Sequence, residues 1–137
     1  FRVTWRGAVT LVEPIVVGNF TSLFIVGVGS EAAMDGDGVT RIIEASGGST
    51  VGLEDIELRN GRASAFDGGG GGAVKSDGEN FKLQARSCNF TNNMSSFDGG
   101  AILSTGGAAN VSFDRCRFTE NTAGYSGGAV RADSALV

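Results

Sequence analysis

Gly99 to Val130 reads GGAILSTGGAANVSFDRCRFTENTAGYSGGAV and closes on nearly the same four residues with which it opens. The same unit stands upstream, so that Gly71-Gly72-Ala73-Val74, Gly99-Gly100-Ala101-Ile102 and Gly127-Gly128-Ala129-Val130 begin 28 residues apart. A second motif keeps the same step: Cys88-Asn89-Phe90-Thr91-Asn92-Asn93 returns as Cys116-Arg117-Phe118-Thr119-Glu120-Asn121. Two unrelated motifs sharing one period mark a structural repeat, and a period of this length means stacked units.

Between the motifs lies the spacing apolar-x-apolar-x-x-apolar-x-apolar. It is filled by Val51, Leu53, Ile56 and Leu58, by Leu83, Ala85, Cys88 and Phe90, and by Val111, Phe113, Cys116 and Phe118. Leu23, Ile25 and Val28 open the same pattern one coil earlier. The starts at 23, 51, 83 and 111 step by 28, 32 and 28, and the long step contains DGGGGGAV, whose extra glycines read as an enlarged turn. Period-two alternation broken by pairs such as Arg86-Ser87 and Asp114-Arg115 predicts short strands, and no segment holds a helical period. A step of 28 is too short for a four-stranded propeller blade of roughly 40 to 45 residues. The fold class is therefore all-β, a parallel β-helix (solenoid) with about 28 residues per coil.

Such stacking predicts inward ladders of like residues. One holds Val51, Leu83 and Val111, another Leu58, Phe90 and Phe118, and the third wall Ile42 or Ile43, Val74, Ile102 and Val130. Leu11, Ile15 and Val17 belong to the first recognisable coil, with Trp5 over its end. Residues 1–137 read as a single domain, with degenerate opening coils over 1–70 and regular coils over 71–137. The start on FRVTWRG and the finish on RADSALV read as cuts through a longer protein.

Composition narrows the function classes. The 137 residues hold 23 glycines, one proline and no histidine, with a net charge of −4. An acidic chain without a basic patch does not displace counterions from phosphates, which sets nucleic acid aside as a partner. Apolar runs such as SLFIVGVG fall far short of the roughly 20 residues of a membrane-spanning helix.

The candidate sites are few. Asn93 and Asn121 follow the inward Phe at a fixed offset and predict an amide ladder at a turn, with a ligand role as the other reading. Cys88 and Cys116 share an inward column, where two readings stay open: packed thiols or a disulfide across coils. Zinc lacks a third Cys and any His. Asp35 and Asp37 in MDGDGVTR are the calcium candidates, set against a polar turn. Four Asn-x-Ser/Thr sequons begin at Asn19, Asn89, Asn93 and Asn110; alternation turns Asn89 and Asn110 outward, and Asn19, Asn89 and Asn110 are the candidate glycosylation sites. Phe66, Phe97 and Tyr125 precede successive GGA[IV] units and form a candidate contact patch, with a ladder sealing the turns as the other reading.

GGA[IV] followed by F-x-x-N, here Phe90 to Asn93 and Phe118 to Asn121, resembles the repeat of the polymorphic membrane protein family of bacterial surfaces. Upstream of Gly71 the chain resembles the looser pectin-lyase-like β-helix. The resemblance implies a right-handed, single-stranded parallel β-helix and, from the family's use of such domains as adhesins, an extracellular or cell-surface location. The expected function is a non-catalytic structural or adhesive module of a coat, stalk or filament. Its partners are neighbouring coils, copies of itself, or extracellular polysaccharide or protein, and it needs no cofactor. The alternative is a carbohydrate-binding or carbohydrate-active β-helix, lyase-like or epimerase-like, whose active coil is missing or unrecognised. Glu54, Asp55 and Glu57 with Arg59 are the nearest approach to a catalytic cluster, and a solvated outer face is the better reading of them.

Overall fold

The structure, a computed structural model, describes residues 1–133. It holds sixteen strands: β1 Arg2–Thr10, β2 Ile15–Val17, β3 Ser22–Asp35, β4 Ile43–Ala45, β5 Thr50–Glu54, β6 Glu57–Arg59, β7 Arg62–Ala63, β8 Val74–Ser76, β9 Lys82–Arg86, β10 Asn89–Thr91, β11 Met94–Ser95, β12 Ile102–Ser104, β13 Asn110–Asp114, β14 Arg117–Thr119, β15 Thr122–Ala123 and β16 Val130–Ala132. The described helical content is a single 3₁₀ turn, Ala65–Asp67. Every strand pairing is parallel, which makes the chain a β-solenoid.

The coils build three sheets. The largest runs β13-β9-β5-β3-β6-β10-β14, with β1 also against β3. The long β3 joins its two arms, pairing β5 through Ser22–Val26 and β6 through Ala33–Asp35. A five-stranded sheet, β16-β12-β8-β4-β2, carries the GGA[IV] positions, and a three-stranded sheet, β15-β11-β7, follows the F-x-x-N turns. That last sheet has no signature in the sequence pattern, because two residues per strand cannot show alternation.

The ladders form in the expected register. Val51, Leu83 and Val111 pair in a column, as do Leu58, Phe90 and Phe118. The third wall is Ile15, Ile43, Val74, Ile102 and Val130, so Ile43 and not Ile42 holds that column. Trp5 lies half-buried on β1 and donates its indole N–H to Ala33 O at 3.0 Å, tying the first strand to the coil above it. Val28 does not point inward as the spacing suggested. Val26 and Ala33 are seven residues apart where their partners Glu54 and Glu57 are three apart, and across this bulge Met34 takes the place beneath Leu58.

The long step of the repeat has a similar cause. Ala63 and Val74 are eleven residues apart where their partners Ser95 and Ile102 are seven apart, so the extra residues lie in Ser64–Gly70 and include the 3₁₀ turn. The insertion bulges outward and leaves the sheets in register on either side. Turn geometry repeats as strictly as the strands: Asp55, Ser87 and Arg115 hold φ of 53°, 52° and 53°, and Asn60, Asn92 and Glu120 hold 53°, 52° and 56°. Each column is a sharp left-handed corner, a conformation uncommon outside Gly and Asn and held here by the pairing on both sides.

The GGA[IV] unit repeats for a backbone reason. Gly71, Gly99 and Gly127 have φ of 63°, 61° and 63°, and a Cβ on Gly100 would strike the carbonyl of Gly128 in the next coil. After this unit the inward column reads Ala45, Ser76, Ser104 and Ala132. Ser104 is fully buried, and its Oγ is the one such side-chain atom among the described residues without a hydrogen-bond partner. Since alanine already occupies two rungs of this column, Ser104→Ala is expected to be neutral or stabilising by up to about 1 kcal/mol, measured as the shift in urea midpoint.

Candidate functional site

The asparagine ladder lies inside the turn after β10 and β14. Asn93 is fully buried; its Nδ2 donates to Leu58 O and to Asn121 Oδ1, both at 3.0 Å, and its Oδ1 accepts the Gly61 N–H at 2.9 Å. Asn121 repeats the move, donating to Phe90 O at 2.8 Å. Every polar atom of the Asn93 amide is thus spent on the neighbouring coils, which leaves none for a ligand. A second amide column was not legible in the sequence: Asn92 donates to Asn60 at 2.9 Å, and Asn60 to Asp35 at 3.0 Å. Asn60 and Asn92, with Asp37, Arg62 and Met94, line a shallow hollow of about 290 Å³.

Asp35 is already committed. Burial raises its pKa, but hydrogen bonds from Asn60, Arg59 and the Asp37 N–H outweigh that and hold the carboxyl below its ordinary value. Arg59 Nε lies 2.8 Å from its Oδ2 and Asp37 N lies 2.9 Å from its Oδ1. The structure thus places Asp35 and Asp37 in a turn closed on itself, and no group of three or more metal-ligating side chains gathers among the described residues. Arg59 also reaches Glu57 at 3.3 Å, so the acidic run of this coil is partly an ion-paired face.

Cys88 and Cys116 are free thiols. Cys88 Sγ donates to Arg86 O at 3.2 Å and Cys116 Sγ approaches Ala85 O at 3.4 Å, so both groups aim at backbone carbonyls and the cross-coil bridge is not formed. Burial pushes the Cys88 thiol up to about 11. A thiol so raised favours the neutral folded form, and its contribution to stability is lost as pH climbs from 9.0 towards that value. In the folded protein at pH 8, maleimide is expected to label the half-buried Cys116 well before Cys88, read by peptide mass spectrometry. Equal rates would contradict this packing.

Asn19, Asn89 and Asn110 are exposed, whereas the Asn93 sequon is buried in its ladder. Among the aromatic residues, Phe97 and Tyr125 stack with ring centroids 5.5 Å apart and an interplanar angle of 23°. Phe66 does not join them. The backbone N–H of Tyr125 donates to Phe97 O and that of Phe97 to Gly69 O, so Gly69 occupies the third rung. A Cβ on Gly69 would strike the Phe97 ring, which lies over it. Phe66 stands fully exposed in the inserted turn, and the contact patch shrinks to the Phe97–Tyr125 pair.

Two features escaped the sequence reading. The first is Arg41, 2% exposed, whose guanidinium holds the inserted turn: Nε donates to Gly71 O at 3.0 Å, and Nη2 to Gly70 O at 2.8 Å and Asp67 O at 3.1 Å. Nη1 reaches Glu44 at 3.1 Å. The signal was available, since the register sets Thr40-Arg41-Ile42-Ile43 beneath Gly71-Gly72-Ala73-Val74 and so puts an arginine where later coils have glycine. The second is a cleft of about 360 Å³ on the outward face of the largest sheet, lined among others by Arg2, Phe24, Gly52, Glu54, Gln84 and Arg86.

Comparison with known proteins places two stretches, residues 87–105 and 115–133, on the model of the Chlamydia polymorphic membrane protein repeat. They begin 28 residues apart and each runs from the corner before the F-x-x-N strand to the end of the GGA[IV] strand or just beyond. No curated protein and no solved structure matches the chain.

Proposed function

We propose that the chain is a non-catalytic, extracellular or cell-surface solenoid module that presents its outward side chains for adhesion. The observation that carries this reading is the pair of repeats matched in register with a family named for membrane proteins. The division of labour within each coil supports it. Inward columns keep aliphatic or aromatic residues from coil to coil, as in Leu58, Phe90 and Phe118, while outward positions change character freely, as in Glu57, Asn89 and Arg117. Such a scaffold holds a surface constant in spacing and variable in chemistry, which suits recognition more than a fixed reaction. Several acidic groups are engaged with arginines, Asp35 with Arg59 and Asp98 with Arg131 at 2.7 Å, which leaves those carboxylates poorly placed to serve as the acid or base of a hydrolase or lyase.

No helix among the described residues is long and apolar enough to cross a membrane. Attachment to a surface would then fall to other parts of a longer chain or to a partner. The exposed Asn19, Asn89 and Asn110 would carry glycans where the host secretes through a glycosylating pathway, and intact mass before and after glycosidase reads this directly. For adhesion itself, beads coated with the folded chain are expected to attach to cell monolayers more than beads coated with the heat-unfolded chain. Equal attachment would overturn the adhesive reading.

A further inference from the structure

We infer that the cleft on the largest sheet is a binding site for a neutral oligosaccharide, an inference that deepens the adhesive reading and rests on it. Two outward columns form the cleft. One runs Phe24, Gly52, Gln84 and Ser112, the other Val26, Glu54, Arg86 and Asp114. Four strands at about 4.8 Å spacing make it roughly 14 Å long, enough for more than one sugar ring.

At Gly52 the Phe24 ring folds down over the bare backbone and fills the space that a Cβ would take. That ring leans on bare backbone from one side and remains 37% exposed beside the cleft, a seated aromatic of the kind on which the apolar face of a sugar packs. Polar groups follow along the same columns. Among the described residues the Gln84 amide has no hydrogen-bond partner and Glu54 no ion-pair partner, while Ser112 Oγ makes one long contact, 3.5 Å to Leu83 O. Amide, hydroxyl and carboxylate on neighbouring rungs offer acceptors and donors suited to hydroxyl groups.

Charge selects the class of ligand. Arg2, Glu54, Arg86 and Asp114 alternate in sign around the cleft, and Arg86 already lies 3.6 Å from Asp114. A balanced field attracts neither a polyanion nor a polycation. An extended peptide is disfavoured too, because the cleft lies on the face of the sheet, where the backbone groups that would add a strand are spent on parallel neighbours.

The test is an NMR titration of the full 137-residue chain with cellohexaose, maltohexaose and xylohexaose, with hexagalacturonate as the charged probe. At least one neutral hexasaccharide is expected to shift the amides of Phe24, Gly52, Gln84 and Ser112, and to bind about tenfold more weakly to Phe24→Ala and to Gln84→Ala, a change at an exposed side chain, with Tyr125→Ala unchanged. Having two variants guards against a folding defect in one, which circular dichroism would reveal. Binding by hexagalacturonate alone, shifts centred on Phe97 and Tyr125, or no binding by any probe would each overturn the assignment. The bead assay separates the two claims: attachment that survives without sugar binding removes this cleft and keeps adhesion, and sugar binding without attachment does the reverse.

Discussion

Phe90→Ala is expected to cost about 3–5 kcal/mol of unfolding free energy, seen as a lower urea midpoint with an unchanged slope. Phe90 is fully buried in the middle of its column, with Leu58 on one side and Phe118 on the other. Its ring stacks on that of Phe118 at 4.8 Å and 7°, and meets Phe113 edge-on at 6.2 Å and 80°. Truncation removes the transfer free energy of the ring, both aromatic contacts, and the support that keeps neighbouring coils from sagging into the void. Phe118→Ala deletes the same side chain one rung further on, where it is only half-buried, and should cost clearly less. Equal losses at the two positions would mean that coils do not differ in burial as the structure has them.

The second large effect falls on a charged residue. Arg41→Met is expected to destabilise by about 3 kcal/mol, because the carbonyls of Asp67, Gly70 and Gly71 lose their buried donor together. Arg41→Lys should recover only part of the loss, since a single ammonium cannot reproduce a planar fork spread over several acceptors. The damage should be local as well as global. Amide exchange at Gly69, which donates to Ser64 O inside the inserted turn, should quicken more than exchange at Ala101 on the neighbouring coil. Uniform acceleration through both coils would show that Arg41 supports the column as a whole.

The fold was legible because the repeat writes it several times over. Val51, Leu83 and Val111 could be aligned by eye, and parallel stacking follows once like residues must meet like. Legibility failed wherever one coil compensates for another. Arg41 makes sense only beside an insertion some 25 residues downstream, and Val28 was misplaced because a bulge in β3 carries the inward position beneath Ile56 on to Ala32. Phe66 and Phe97 looked like successive rungs at a spacing of 31, but the insertion lies partly between them, and the true rung is Gly69, which a search for aromatic residues passes over. The cleft was hidden for a related reason. It is made by columns of residues 28 or 32 apart, and the glycine that lets the Phe24 ring lie against the strand reads in the sequence as just another weak point.

The all-parallel pairing of the coils bears on how the molecule would behave under load. Each rung is hydrogen-bonded to the rung before it and the rung after it, and among the described residues no strand reaches past its neighbour to lock distant coils together. Tension applied at the two ends would therefore peel the outermost coil first and leave the next one intact. Each 28-residue coil set free would release roughly 90 Å of extended chain, so a tether of this design lengthens in steps and keeps its remaining grip between them.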